Sequence, residues 1–238
     1  MNGLYDMHCH IIPGVDDGAE TISDSMEILR DERAQGVENI ILTPHFRINM
    51  FEISRDVVER NYRTLAESAK NEFPEMKLYL GCEFHSSHEM TDMLRADPRF
   101  RMCGTCYVLL EFSSAHDAGY IRNGAYALIS SGFTPIIAHC ERYSPIYKRM
   151  EFARELCDMG ALLQINASSV LGIDGFGMKM FCRKMLKKGL VSFIGSDVHN
   201  TGDRSTHIGE CADYVEKKYG THVAREIFIH NPKMLISD

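Results

Sequence analysis

Short apolar runs alternate along the chain with longer stretches whose apolar positions recur every three or four residues. "LYDMHCH" at the start is short and β-compatible. Residues 21–35 have helical spacing at Ile22, Met26 and Leu29 and stop at Gly36. "ENIILTPH" reads as a buried strand ending at Thr43-Pro44. Residues 54–72 place Val57, Val58, Tyr62, Leu65 and Ala69 on one helical face. "KLYLGCE" is the third strand, followed by a short helix over 87–96. "CYVLLEF" is the fourth, followed by a helix over 118–131 closed by Gly132. "TPIIAHCER" carries the fifth, before a helix over 146–159. "ALLQIN" is the sixth, before a helix over 176–188. "LVSFIGSD" is the seventh, and the tail is helical over 205–219 and 221–229. Seven strands that each lead into a helix predict an α/β chain with a parallel sheet and helices outside it. At 238 residues a closed or nearly closed barrel fits, with a doubly wound open sheet as the alternative. No linker, repeat or low-complexity tract divides the chain, so one domain over 1–238 is expected.

Composition narrows the class. Hydrophobic residues make up 45 % and charged residues 25 %, as in an ordinary globular enzyme. No apolar run reaches the ~20 residues of a membrane helix, and no signal-peptide pattern opens the chain. A net charge of −7 without a basic block argues against a nucleic-acid partner. The eight cysteines read as reduced thiols, and a cytoplasmic protein without membrane insertion is expected. Cys103 and Cys106 form a single C-x-x-C, a weak zinc signal without a second pair.

The eleven histidines change the picture. Strand one ends in His8 and His10, strand two in His45, strand three in Glu83, and strand four in Glu111. Strand five ends in His139, followed by Glu141 and Arg142, and strand seven in Asp197 and His199. The C-terminal rim of such a barrel is where active sites are built. One buried histidine at a strand end is ordinarily a hydrogen-bonded core residue. Six strand ends carrying metal-capable groups are not a packing accident, because buried carboxylates need compensating charge. Strand alternation places His8 and His10 on one side and Met7 and Cys9 on the other. Imidazole mixed with carboxylate suits Mn²⁺, Fe²⁺ or Zn²⁺, and the candidates exceed what one ion takes. Strand six ends in Gln164 and Asn166, which are poor ligands. His85, His88, His116, His207, His222 and His230 read as surface or capping residues.

H-x-H after the first strand, T-P-H after the second, Glu after the third, His after the fifth and S-D-x-H after the last resemble the PHP (polymerase and histidinol phosphatase) superfamily. "HCHIIPGVDDG", "GCEF", "AHCERY" and "GSDVHN" are similar, more narrowly, to the CpsB/YwqE type: bacterial manganese-dependent protein-tyrosine phosphatases of capsule and exopolysaccharide systems. The resemblance implies the PHP fold, a distorted parallel (β/α)7 TIM-like barrel. It implies a site of two or three ions, Mn²⁺ by family with Fe or Zn open. One ion would sit on His8, His10, Glu83 and Asp197. A second would share Glu83 and take Glu111 and His139. A third would use Asp17, His45 and His199, with Asp16 as the alternative to Asp17. Arg142 and Arg204 fall where phosphate contacts are implied. The implied reaction is hydrolysis of phosphotyrosine through a metal-activated water, with Asp17, Glu111 and His199 as candidates for the proton donor. The implied partner is the tyrosine-rich tail of a membrane tyrosine autokinase.

Thiol chemistry is excluded independently. A thiol phosphatase needs Arg six positions after its Cys, and none of the eight cysteines has one. The competing readings are a small-molecule phosphatase, such as one acting on histidinol phosphate, and a non-catalytic metal-binding module that docks a kinase.

Overall fold

The computed structural model describes Met1 and residues 3–236; Asn2, Ser237 and Asp238, the ends of the expected 1–238 domain, lie outside the described residues. The strands are β1 (Leu4–Cys9), β2 (Val37–Leu42), β3 (His45–Phe46), β4 (Lys77–Leu80), β5 (Glu83–His85), β6 (Tyr107–Glu111), β7 (Thr134–Ile137), β8 (Leu162–Asn166) and β9 (Phe193–Gly195). Every pairing among them is parallel. They form two sheets, in the orders β1-β2-β4 and β3-β5-β6-β7-β8-β9.

Among the described residues there are thus nine strand segments where seven are expected, because the second and third strands are each broken. Pro44 has no N–H to give to a ladder, so β2 ends before it and β3 begins after it. The ladder nevertheless carries across the breaks. Gly81 N donates to Leu42 O (2.8 Å) and Glu83 N to Pro44 O (3.1 Å). First and last strands also meet: Asp197 N donates to His8 O (2.8 Å) and His10 N to Val198 O (2.9 Å). Gly195 permits that approach, since a Cβ there would lie 2.7 Å from the His8 Cβ.

The parallel strands curl round an inner apolar column. Met7, Ile41, Leu109, Ile136 and Phe193 fill it, with Tyr79 and Leu162 packed against them. The alternate residues, such as Ile40, Leu42, Leu110, Ile137 and Ile194, face outward into the larger core beneath the helices.

One expectation about β1 is overturned. Met7 belongs to the inner column and Cys9 to the outer core, so the two do not share a face. Pairing with β2 slips between Asp6 and Cys9, and the extra residue of such a bulge re-aims the side chains beside it.

The helix Ile22–Ala34 starts where Thr21 and Asp24 form a reciprocal cap. It buries Met26, Ile28 and Leu29, while Ile22, at the first helical position, stays exposed. The helix expected over 146–159 is two helices, Ser144–Lys148 and Met150–Asp158, separated by an extended Arg149. The last expected helix passes from α at Thr221–Arg225 into a π-turn at Glu226–His230. No helix among the described residues is long and apolar enough to cross a membrane.

Candidate metal centre

The C-terminal ends of the strands bring the nine metal-capable residues together. Six are buried: His8, His10, Glu83, His139, Asp197 and His199. His8 Nε2 and His10 Nε2 face each other at 3.3 Å. Each ring's other nitrogen has an acceptor: His8 Nδ1 lies 3.1 Å from Gln164 Oε1, and His10 Nδ1 lies 2.8 Å from Asp16 Oδ2. Both rings therefore carry N–H at Nδ1 and turn Nε2 to one point. Glu83 Oε2 is 3.3 Å from both Nε2 atoms. Asp197 Oδ1 is 3.6 Å from that of His8 and 3.5 Å from that of His10. Two nitrogens and two carboxylate oxygens around one point need a cation there, whether protons or a metal ion.

The same logic extends outward. His199 Nδ1 gives its hydrogen to the Asp197 carbonyl (2.9 Å), and its Nε2, without a hydrogen-bond partner among the described residues, faces Asp17 Oδ1 at 3.4 Å. His45 bridges two regions, with Nδ1 2.9 Å from Glu83 Oε2 and Nε2 3.5 Å from Asp17 Oδ1. His139 Nε2 is 2.8 Å from Glu83 Oε1 and 4.0 Å from Glu111 Oε1. Three groups have ligand atoms within 4.8 Å of one another: His10, Asp17, His45 and His199; His8, His10 and Asp197; and His45, Glu83 and Glu111. Asp17 belongs to the first, whereas Asp16 accepts from the backbone N–H groups of His45 and Gly18 (3.0 Å each) and orients His10. The donor set fits oxygen- and nitrogen-seeking divalent ions.

Charge follows from these contacts. Burial opposes a proton on His8, but the Glu83 carboxylate outweighs it and pushes the pKa up to about 9. His45 is pushed up to about 10 against the same burial by the same carboxylate. Burial opposes ionisation of Glu83, yet His8 and His45 hold it well below the ordinary carboxylate range. Asp197 is likewise low despite its burial, through His8 and Arg142. Glu111 is raised, by burial and then by Glu83. Arg142 Nη1 is 2.8 Å from Asp197 Oδ2. Arg204 reaches Asp197 Oδ1 at 3.4 Å and Asp17 Oδ2 at 3.5 Å. Arg142 is exposed and Arg204 partly buried beside the cluster.

Several functional residues escape a ligand-based reading of the sequence. Gln164 Oε1 faces His8 and accepts from the backbone N–H of His139 (2.6 Å). Asn166 Nδ2 donates to Asp197 Oδ2 (2.9 Å). Their spacing on β8 repeats that of His8 and His10, which is the signal that could have marked them. His139 (φ 31°) and Asp197 (φ 56°) are left-handed. Such backbone costs about 1–3 kcal/mol per residue and clusters at functional sites. Of the histidines set aside, His88, His222 and His230 are exposed, His116 stacks on Tyr120 (3.8 Å), and His207 precedes the helix Ile208–Tyr219. His85, lowered to about 4 by burial and Arg47, is only partly buried and joins none of the three groups. Cys103 and Cys106 join no metal-capable group among the described residues.

Comparison with known proteins places this geometry. The capsular polysaccharide synthesis family CpsB/CapC matches residues 4–237. The tyrosine-protein phosphatase CpsB of Streptococcus pneumoniae is 32 % identical over 99 % of each chain. The tyrosine-protein phosphatase YwqE of Bacillus subtilis is 31 % identical over 92 % of this chain and 87 % of that one. A crystal structure from work on those two proteins, described as unique metal-dependent tyrosine phosphatases, superposes with a TM-score of 0.89. It is 30 % identical and covers 98 % of this chain and 94 % of that chain.

Proposed function

The chain belongs to the CpsB/CapC family, and from that premise we propose how its cluster works as a metal-dependent tyrosine phosphatase. It is a hydrolase of phosphoric monoesters, of the protein-tyrosine-phosphatase type. The whole of 1–238 acts as one such domain, a distorted seven-unit barrel in which each broken strand counts once. The observation that carries the site assignment is the convergence of His8 Nε2 and His10 Nε2 on Glu83 and Asp197.

His8, His10, Glu83 and Asp197 hold one ion. Glu83, Glu111 and His139 hold a second, and Asp17, His45 and His199 a third. Manganese is the preferred occupant, with iron or zinc compatible with the same donors. Bound ions of this kind stabilise charge on a phosphoryl group and lower the pKa of water towards ~7. The chain's own residues do the rest. Asp16 and Gln164 fix the tautomers of His10 and His8. Arg142 and Arg204, now spanning Asp197 and Asp17, offer planar forks to the phosphate oxygens. The raised pKa of Glu111, set by burial and then by Glu83, belongs to the metal-free chain, and a bound ion would take the place of that proton. Cysteine takes no part: burial pushes the Cys9, Cys82 and Cys140 thiols far up, away from the thiolate.

The substrate is a phosphotyrosine protein of a capsule or exopolysaccharide system, the tail of a tyrosine autokinase, met in the cytoplasm. A substrate panel tests this. Phosphotyrosine peptides and p-nitrophenyl phosphate should turn over with Mn²⁺, and histidinol phosphate should not. The reverse preference would make it a small-molecule phosphatase, and absence of metal-dependent turnover would leave a binding module.

A further inference from the structure

Among the described residues eight large apolar side chains are exposed, and half of them belong to neighbouring elements. Phe176 (77 % exposed) and Met180 (48 %) stand one turn apart on the helix Phe176–Lys187. Tyr147 (40 %) packs its ring 5.1 Å from Phe181 of the same helix. Ile173 (53 %) lies in the turn just before it. Ile22 and Tyr126 lie on two helices and Met50 and Met234 in two turns, all well apart in sequence, and they need no such explanation. The Ile173 turn is held in place, because Ser168 and Ser169 both give their hydroxyl hydrogens to Asp174 Oδ2 (2.7 Å each).

Ile173 also lines a small cleft that Arg142, Asp197 and Arg204 line with it. The apolar shelf is therefore continuous with the cleft assigned to the phosphate. Resting on the phosphatase reading above, we propose that this shelf receives an apolar side chain of the substrate polypeptide next to its phosphotyrosine. Exposed apolar patches at the edge of a cleft mark contact surfaces. Charge disfavours one competitor. Asp174 and Asp203 line the outer cavity. On the other side of Asp17 a second cavity is lined by Glu20, Asp24 and Glu27. Acidic flanks are repelled at both ends, and an aromatic or long aliphatic flank gains apolar contact at the shelf.

The test compares two phosphotyrosine peptides, one with phenylalanine or leucine beside the phosphotyrosine and one with serine there, using the Mn²⁺-loaded full chain. The native enzyme should prefer the apolar peptide by about tenfold in kcat/KM, about 1.4 kcal/mol, expressed in KM. In F176S/M180S the preference should vanish while turnover of p-nitrophenyl phosphate stays within about twofold, which also shows that the variant is folded. A native enzyme without preference, or a variant that keeps it, overturns the proposal. So does a dimer that the double substitution dissociates with peptide kinetics unchanged, which would give the shelf to a second copy. Absence of turnover on every substrate would instead overturn the phosphatase reading, and the shelf with it.

Discussion

Glu83 and Glu32 are both fully buried, yet the protein keeps them in opposite states. Glu83 is held ionised by imidazoles on several sides, with His8, His10, His45 and His139 all within 3.3 Å of its oxygens. Glu32, from the helix Ile22–Ala34, meets another carboxyl instead. Burial and then Asp6 push its pKa well above the ordinary value. Asp6 in turn is raised by burial, although it accepts from the Ser196 backbone and hydroxyl. Burial alone thus predicts nothing about charge. The cations around a carboxyl decide, and a cluster built to remain ionised is one built to hold metal.

The largest test of that contrast removes the charge and keeps the shape. Glu83→Gln should lower turnover of p-nitrophenyl phosphate by about 10³-fold or more, on the order of 4 kcal/mol. Steady-state kinetics with excess Mn²⁺ measures it, and a variant within tenfold of the native rate would deny Glu83 its central place. A smaller effect is expected from the residues that only orient the imidazoles. Asp16→Asn and Gln164→Ala should each cost about 10- to 100-fold in metal affinity or activity. Metal titration of the rate separates the two, since extra Mn²⁺ should restore part of the loss.

Proton linkage sharpens the comparison further. In the metal-free chain His8 and His45, raised to about 9 and about 10, are protonated at pH 7.5. Metal binding must displace those protons, so affinity should rise with pH, and calorimetry in buffers of different ionisation enthalpy should show proton release. Uptake or no exchange would contradict the assignment. The same raised values fix the metal-free stability profile. Their contribution is complete below about pH 6.5 and is lost as pH rises through about 9 to 10.

The smallest effect belongs to the other carboxyl. A raised folded pKa means that Glu32 destabilises the fold as pH climbs above its ordinary range. Glu32→Gln should therefore leave turnover within about twofold and stabilise the chain at pH 8 relative to pH 5, by on the order of 1 kcal/mol. Thermal melts at the two pH values measure it.

Much of the rim was legible because strand ends are easy to locate and histidine, aspartate and glutamate are conspicuous there. His8, His45, Glu83 and Asp197 needed only the β/α alternation to be placed near one another. What lay beyond reach depends on backbone geometry. The slip between Asp6 and Cys9 puts Met7 inside the column against simple alternation. The left-handed turns at His139 and Asp197 are set by tertiary contacts, and neither residue is a glycine that would announce them. Gln164, Asn166 and Asp16 do not announce their orienting role, because orienting a ligand demands a hydrogen bond rather than a metal-capable atom. Glu32 is one charge among several on the helix Ile22–Ala34, and only its burial in the fold sets it apart.

The most direct test counts metal ions against turnover in the purified protein. Elemental analysis should find at least two divalent ions per chain, phosphotyrosine turnover should fall to background when EDTA strips them, and Mn²⁺ should restore count and rate together. Full turnover in a chain shown to be metal-free would contradict the account at its centre.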